Sequence, residues 1–231
     1  ATTQHAEDGL SWTSLRAGAG NGANDAAVSM PITINDQETA GAGFKVDGAA
    51  LMSFNTPNVI PTTDTITSAT LELVLISKTD PTQLNALNTV VAGNTGTWTE
   101  AIAGTDFDTR DASASSTVYS TYILYADAGG TDIWTLNQTA IDTIAKGSGN
   151  CTSGNCTRFS IQSHLDMANS PTPVNSDNSA ENGDEVRYQS ADNTTAPLLK
   201  VTHVAGAAGE DDQDVMQMMY WKLYDLKVAV Y

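Results

Sequence analysis

Residues 49–79, AALMSFNTPNVIPTTDTITSATLELVLISKT, decide the fold. They read as two strands joined by a proline-marked loop. In the first, Ala50, Met52 and Phe54 alternate with Ala49, Leu51 and Ser53. After Pro57 and Pro61, residues 66–77 are rich in leucine and β-branched side chains and hold no helix-capping signal. Leu71, Leu73 and Leu75 share one face. Thr70 and Glu72, then Val74 and Ile76, share the other. A strand that is half polar at its start and apolar on both faces at its end is expected to pass from an exposed region into a covered one. That is the pattern of an inner strand in a two-layer β domain.

Outward from this pair, short strands are expected over residues 26–34, 89–92, 118–125, 133–136, 158–164, 186–188 and 197–204, separated by Gly, Pro, Asn and Asp turns. In the third of these, Val118, Ser120, Tyr122 and Leu124 fall on one face. A helix of two to three turns is expected after Asn137 as N-cap, with Ala140, Ile141, Ile144 and Ala145 at helical spacing and Gly147 as the stop. Residues 1–41 are weakly patterned. Gly18, Gly20 and Gly22 suggest a phosphate-cradling loop only superficially, because no buried strand precedes them and no helix follows. Trp98, Ile102 and Phe107 read as core plugs under a long loop. The pattern specifies an all-β chain, an antiparallel β-sandwich or jelly roll with one short helix, and a partly open barrel is the alternative. Residues 1–204 form the sandwich, 205–214 a Gly/Ala/acidic linker, and 215–231 an apolar C-terminal segment.

At 231 residues the chain can bury roughly 70% of its unfolded surface. Ten Lys and Arg against 27 Asp and Glu give a net charge of −17. That argues against nucleic acid, which needs a basic footprint, and against anionic membranes. No apolar run approaches the ~18 residues that would read as a membrane span. The chain starts at Ala1 without a signal-peptide pattern, and a processed form is the expectation. A composition dominated by Thr, Ser, Ala, Gly and Asn suits an extracellular, cell-surface or virion setting.

Cys151 and Cys156, the only two cysteines, enclose CTSGNC and are expected to form a disulfide outside a reducing cytosol. Sequons stand at Asn137, Asn150, Asn155 and Asn193; Asn137 is better explained as a helix cap, which leaves the other three as glycosylation candidates. Asp177, Glu181 and Asp184 offer hard oxygen ligands in one acidic loop and are the candidate Ca²⁺ site, although the spacing is not that of an EF-hand. No other cofactor is expected. His5, His164 and His203 are the only histidines, and no nucleophile-elbow or metalloprotease pattern accompanies them. His164 and Asp166, two apart on one strand, would share a face as half of an acid–base pair. With no nucleophile beside them, a non-enzymatic chain is the expectation. Trp98, Trp134, Tyr119, Tyr122, Tyr125 and Tyr188 are the available stacking platforms for surface glycans.

Three pieces, ALMSFNTPNVIPTTDTITSATLEL, WTLNQTAIDTIAKG and YQSADNTTAPLLKVTH, resemble the DNRLRE-type β-sandwich modules and related phage and bacterial surface structural proteins. The early SLRAGAGNGAND resembles the entry segment of the phage-associated group. The likeness covers residues 8–204 and implies a jelly-roll-like module for carbohydrate binding, adhesion or particle architecture. The literal DNRLRE string is absent, and no catalytic residue is implied.

Beyond the sandwich, Met216, Met219, Leu223, Leu226 and Val230 follow the 3-4-3-4 spacing of a coiled-coil seam. Acidic residues precede this segment and Lys222 and Lys227 come late, as a helix dipole favours. Tyr224, Leu226, Val228 and Val230 also alternate, so a strand that completes a neighbour's sheet is a second reading. A helix folded back on its own sandwich is a third. The expectation is a structural or adhesion subunit of a fibre, filament or decoration that associates with itself or with other assembly subunits through this segment. The alternative is a carbohydrate-binding module of a secreted protein.

Overall fold

Buried backbone N–H and C=O groups must be paired, and this chain meets that demand chiefly with antiparallel sheet. The computed structural model describes residues 2–10, 14, 20, 22–24, 28–36, 44–79, 87–93, 117–152, 154–168, 184–206 and 224–229. Its strands are β1 (Thr2–Leu10), β2 (Gly22–Asn24), β3 (Ser29–Asp36), β4 (Phe44–Phe54), β5 (Thr65–Thr79) and β6 (Thr89–Ala92), followed by β7 (Thr131–Thr135), β8 (Thr157–Ser163), β9 (Asp184–Gln189), β10 (Leu198–Val204) and β11 (Tyr224–Ala229). Two short helices, α1 (Gln138–Asp142) and α2 (His164–Met167), flank β8 in sequence.

The strand order is β11-β10-β5-β9-β3-β4-β1-β2, with β7 added on β5, β8 on β4 and β6 on β8. The sheet curls into a half-barrel whose concave side holds one core. Met30 and Ile32 enter it from β3, Met52 and Phe54 from β4, Leu71 and Leu73 from β5, and Phe159 and Ile161 from β8. Val186 and Tyr188 of β9 and Leu199 and Val201 of β10 complete it with Trp134 of β7. The aromatic groups meet edge-on or tilted: Trp134 and Tyr188 lie 5.5 Å apart, Tyr119 and Phe159 5.8 Å, and Phe54 and Phe159 6.2 Å between centroids. The all-β expectation therefore holds, and both strands expected in residues 49–79 form, as β4 and β5. They do not pair with each other: β4 pairs with β1, β3 and β8, and β5 with β7, β9 and β10.

Details differ, each for a physical reason. The buried stretch of β5 is its middle, Ile66 to Leu73; Leu75 is half-buried and Ile76 is 44% exposed. The strand passes out of the core at its end instead of into it, because a register irregularity between Leu75 and Ser77 accompanies its pairing with β9. Residues 117–125 form no continuous strand. Isolated bridges hold them, Ala92 to Val118, Ser120 to Leu136 and Thr89 to Ile123, and Tyr119 points inward. β1 and β2 lie within the stretch that shows no sequence pattern, since TTQHAEDGL does not alternate. Residues 98, 102 and 107 lie outside the described residues.

α1 is shorter than its apolar spacing implies. Asn137 caps it, accepting from the Ala140 N–H at 3.0 Å, and Thr143 ends it. Gly147 follows at φ +89°, where an L side chain is strained, and its N–H reaches Ile60 O at 2.8 Å. This corner is tied by buried hydroxyls. Thr56 Oγ1 donates to Ala145 O at 2.8 Å and lies 2.6 Å from Thr157 Oγ1, which accepts from Ala145 N at 2.9 Å.

A second staple sits before β7. Lys78 Nζ donates to the carbonyls of Tyr125 (2.7 Å), Ala126 (3.2 Å) and Ala128 (2.8 Å), and stands 4.9 Å from the Tyr125 ring centre. It fixes the turn that delivers β7 to the side of β5. For the hydroxyl corner, Thr157→Val keeps the shape and removes an acceptor for a buried N–H. The expected loss is about 1–3 kcal/mol, read as a lower urea midpoint at unchanged slope; an unchanged midpoint would show that the corner adds nothing.

Candidate functional site

Sheet hydrogen bonds decide which strands are finished and which are open. Leu136 N donates to Ala69 O and Leu75 N to Gly130 O, at 3.0 and 2.8 Å, bracketing the β5–β7 ladder. Their parity makes Asp132 and Trp134 the β7 residues whose backbone groups face β5. The N–H and C=O groups of Thr131, Ile133 and Thr135 therefore point away from the sheet. β7 pairs with no strand but β5 among the described residues. All three outward residues are exposed, Ile133 at 53%.

The same parity runs across the sheet. On β5, residues 69, 71 and 73 face β7, so residues 70 and 72 face β10, where they pair with Lys200 and Leu198. Leu199 and Val201 then present their backbone groups to β11, opposite Val228 and Leu226. On β11 the residues whose backbone groups point outward are Asp225, Lys227 and Ala229. β11, β10, β5 and β7 thus form one four-stranded run, and at its β7 end residues 119–121 lie along the outward side, where Ser120 bridges Leu136 and Asn137 N donates to Tyr119 O at 2.8 Å.

β11 is reached from β10 by residues 205–223, whereas antiparallel neighbours need only about two to five connecting residues. The root of this connection is clamped. His203 Nδ1 lies 2.6 Å from Asp64 Oδ2, both groups buried, and Lys146 Nζ donates to Asp64 O at 2.9 Å. Gly206 abuts the Thr63 carbonyl so closely that a Cβ has no room.

The C-terminal segment is therefore a strand over residues 224–229, and it pairs with its own chain. The heptad reading does not hold at Leu226, which sits opposite Val201 in the β10–β11 ladder. Alternation of Tyr224, Leu226 and Val228 against the buried Leu199 and Val201 wins over helical spacing. Met216, Met219, Leu223 and Val230 lie outside the described residues. The strand reading holds in form, with the sheet of the same chain as its partner.

A second feature is a surface corner. Tyr122 is 44% exposed, and its ring stands edge-on to His164 at 5.9 Å. Asn88 joins the parts, its side chain accepting from Tyr125 N and its carbonyl from His164 N, both at 2.9 Å. Contrary to the shared strand face expected of them, His164 and Asp166 belong to α2. The Ser163 hydroxyl caps this helix by accepting from Asp166 N at 3.0 Å, and Asp166 is buried. Burial lowers the His164 pKa, and a hydrogen bond to the Asn88 backbone acts the other way. Trp134, Tyr119 and Tyr188 are core and Tyr125 packs against it, so none of these four is a free platform.

Cys151 and Cys156 stand at the two ends of one turn, Cys151 half-buried and Cys156 buried, with Gly154 N donating to Cys151 O at 3.0 Å. Asn150 is exposed. Asn155 donates its amide to Ser148 O at 2.7 Å and Asn193 to Val28 O at 3.0 Å, so both sequon amides serve the fold. Asp184 opens β9, while Asp177 and Glu181 lie outside the described residues. Among the described residues no three His, Cys, Asp or Glu side chains gather as metal ligands, and no helix is long and apolar enough to cross a membrane.

The full extent of β7 and its pairing with β5 are not evident in the sequence. Its signal is the TITSAT-like alternation of TDIWTL, where Thr131 and Ile133 lie opposite Asp132 and Trp134, but an inward Asp makes the two faces hard to rank. No family model matches the chain, and neither the curated proteins nor the solved structures yield a similar one.

The lowered pKa of His164 carries a sign. The unfolded chain takes up a proton near 6.5 while the folded chain still holds neutral imidazole. Stability is full above that value and falls as pH drops through it toward the folded-state pKa. His164→Gln is expected to flatten this part of the profile of urea midpoint against pH. Parallel profiles for the two proteins would refute it.

Proposed function

We propose that this chain is a non-enzymatic structural or adhesion subunit of an extracellular or virion assembly, and that it self-associates through its C-terminal segment. The curled sheet is read as the sandwich or jelly-roll module that such subunits use, in line with the likeness to DNRLRE-type modules. The observation that carries the reading is β11, an edge strand at the end of a connection far longer than its pairing needs. Short edge strands joined by long connections are the elements that chains exchange or extend between copies. A disulfide between Cys151 and Cys156 belongs with the oxidising setting of this proposal. Light scattering on the full chain and on a form ending at Gly206 tests it. The full chain is expected to be oligomeric and the shortened form a folded monomer by circular dichroism; equal masses would refute assembly through this segment.

A second reading, a carbohydrate-binding module, is favoured by one observation, the exposed Tyr122 ring beside neutral His164 and Asn88. Aromatic faces stack on sugar CH groups, and amides select hydroxyls. Saturable binding on a glycan array, lost in Tyr122→Ala with the fold intact, is the expected result for this reading. An array without signal removes it.

A further inference from the structure

We propose that the outward edge of β11 pairs with the same edge of a second copy, antiparallel about a two-fold axis, in the register that sets Asp225 opposite Lys227 twice. The inference rests on the assembly reading above and names the surface and the register through which the C-terminal strand acts.

The first observation is which end of the four-stranded run is finished. At the β7 end, Ser120 bridges Leu136 and Asn137 N donates to Tyr119 O at 2.8 Å. At the other end β11 pairs only with β10 among the described residues. Its ladder to β10 uses the backbone groups of Leu226 and Val228, so those of Asp225, Lys227 and Ala229 point away from the sheet. A strand edge of this kind is a template for another strand.

The second is the charge along that edge. Lys227 stands opposite Lys200 in the β10–β11 ladder, and like charges directly opposite one another destabilise a sheet. Lys200 has its own partner on the far side, its Nζ 2.6 Å from Glu72 Oε1. The position that would relieve Lys227 is the one across its outward side, and the residue that suits it is an acid. β11 itself carries that acid two residues away, at Asp225.

The third is symmetry. A strand paired antiparallel with its own copy makes every cross pair twice. With Leu226 on the axis, Asp225 of each copy falls opposite Lys227 of the other, and both are outward, hydrogen-bonding positions. Moving the axis by one residue sets Lys227 against Lys227 or Asp225 against Asp225, like charges at the centre of the ladder. Charge thus selects one register among three that the backbone permits. The row across the seam then reads Thr70, Lys200, Lys227, and next Asp225 and Thr202 of the second copy. Both β11 edges are consumed in the contact, so the pair is closed and the sheet is continuous from β7 of one copy to β7 of the other.

Full-length charge variants test this in sedimentation velocity, where the parent is expected to run as a dimer. Asp225→Lys and Lys227→Asp each put two like pairs into the seam. Each is expected to raise the dimer dissociation constant by roughly tenfold or more, with circular dichroism unchanged. Lys227→Asp also places an acid opposite Lys200 within the chain, so loss of the dimer in this variant reports on the seam and not on the seating of β11. Mixed in equal amounts, the two variants are expected to recover the dimer, because each Lys of one then meets an Asp of the other. Should a reversal unfold the chain, Asp225→Asn and Lys227→Gln remove charge without adding repulsion, and unchanged dimerisation in both overturns the proposal.

A mixture that fails to recover the dimer, or a parent that forms species larger than a dimer, overturns the two-fold register. If the Gly206 truncation is monomeric but both reversals dimerise as the parent does, this inference fails and the assembly reading stands. If truncation changes nothing, both fail.

Discussion

Strand β5 is hydrogen-bonded along both edges over the same residues, and the architecture depends on that. Thr70 is opposite Lys200 on one side and Thr135 on the other. Backbone parity and side-chain parity are locked together in such a strand. Residues 69, 71 and 73 send their side chains into the core and their amides to β7, while residues 70 and 72 turn their backbone to β10. A slip of one residue on either side would turn Leu71 and Leu73 to solvent, so the leucine alternation sets the register of three strands at once. The Lys200–Glu72 ion pair, 2.6 Å across the outer face, is consistent with that register and adds little to it.

The core also contains a polar network that fixes where β7 begins. Asp132, buried, accepts from Gly129 N at 3.0 Å and from the Tyr188 hydroxyl at 2.8 Å. Tyr188 stands 3.3 Å from Thr89 Oγ1, and Trp134 Nε1 reaches Thr89 O at 3.4 Å. Desolvation, first, and the neighbouring Asp132 carboxylate push the Tyr188 phenol far above its ordinary range, which keeps it a proton donor. Buried polar groups satisfied in this way specify one arrangement, because any other leaves a carboxylate unpaired. The network ties β7, β9 and β6 together.

The fold was legible where one face of a strand is buried and the other is wet. Leu199, Val201 and His203 alternate in sequence as they do in space, and Asn137 caps the helix it was expected to cap. Legibility failed where burial is two-sided or supplied from afar. β1 carries no period because its residues do not divide by polarity. Residues 117–125 look like a strand but are held by single bridges, their backbone partners being spread over β6 and the end of β7. His164 and Asp166 appeared to share a strand face. The Ser163 cap starts a helix at His164 and separates them. At the C-terminus two periods compete over few residues, and residues 224–229 pair as a strand with β10, Leu226 opposite Val201.

Charge governs how copies of this chain approach one another. A net charge of −17 makes copies repel at distances up to the Debye length, about 8 Å at physiological salt. Repulsion of that kind is screened and non-directional, whereas ladder hydrogen bonds act only at contact and only in register. The first opposes random approach of two copies, and the second acts only where backbone groups meet in register.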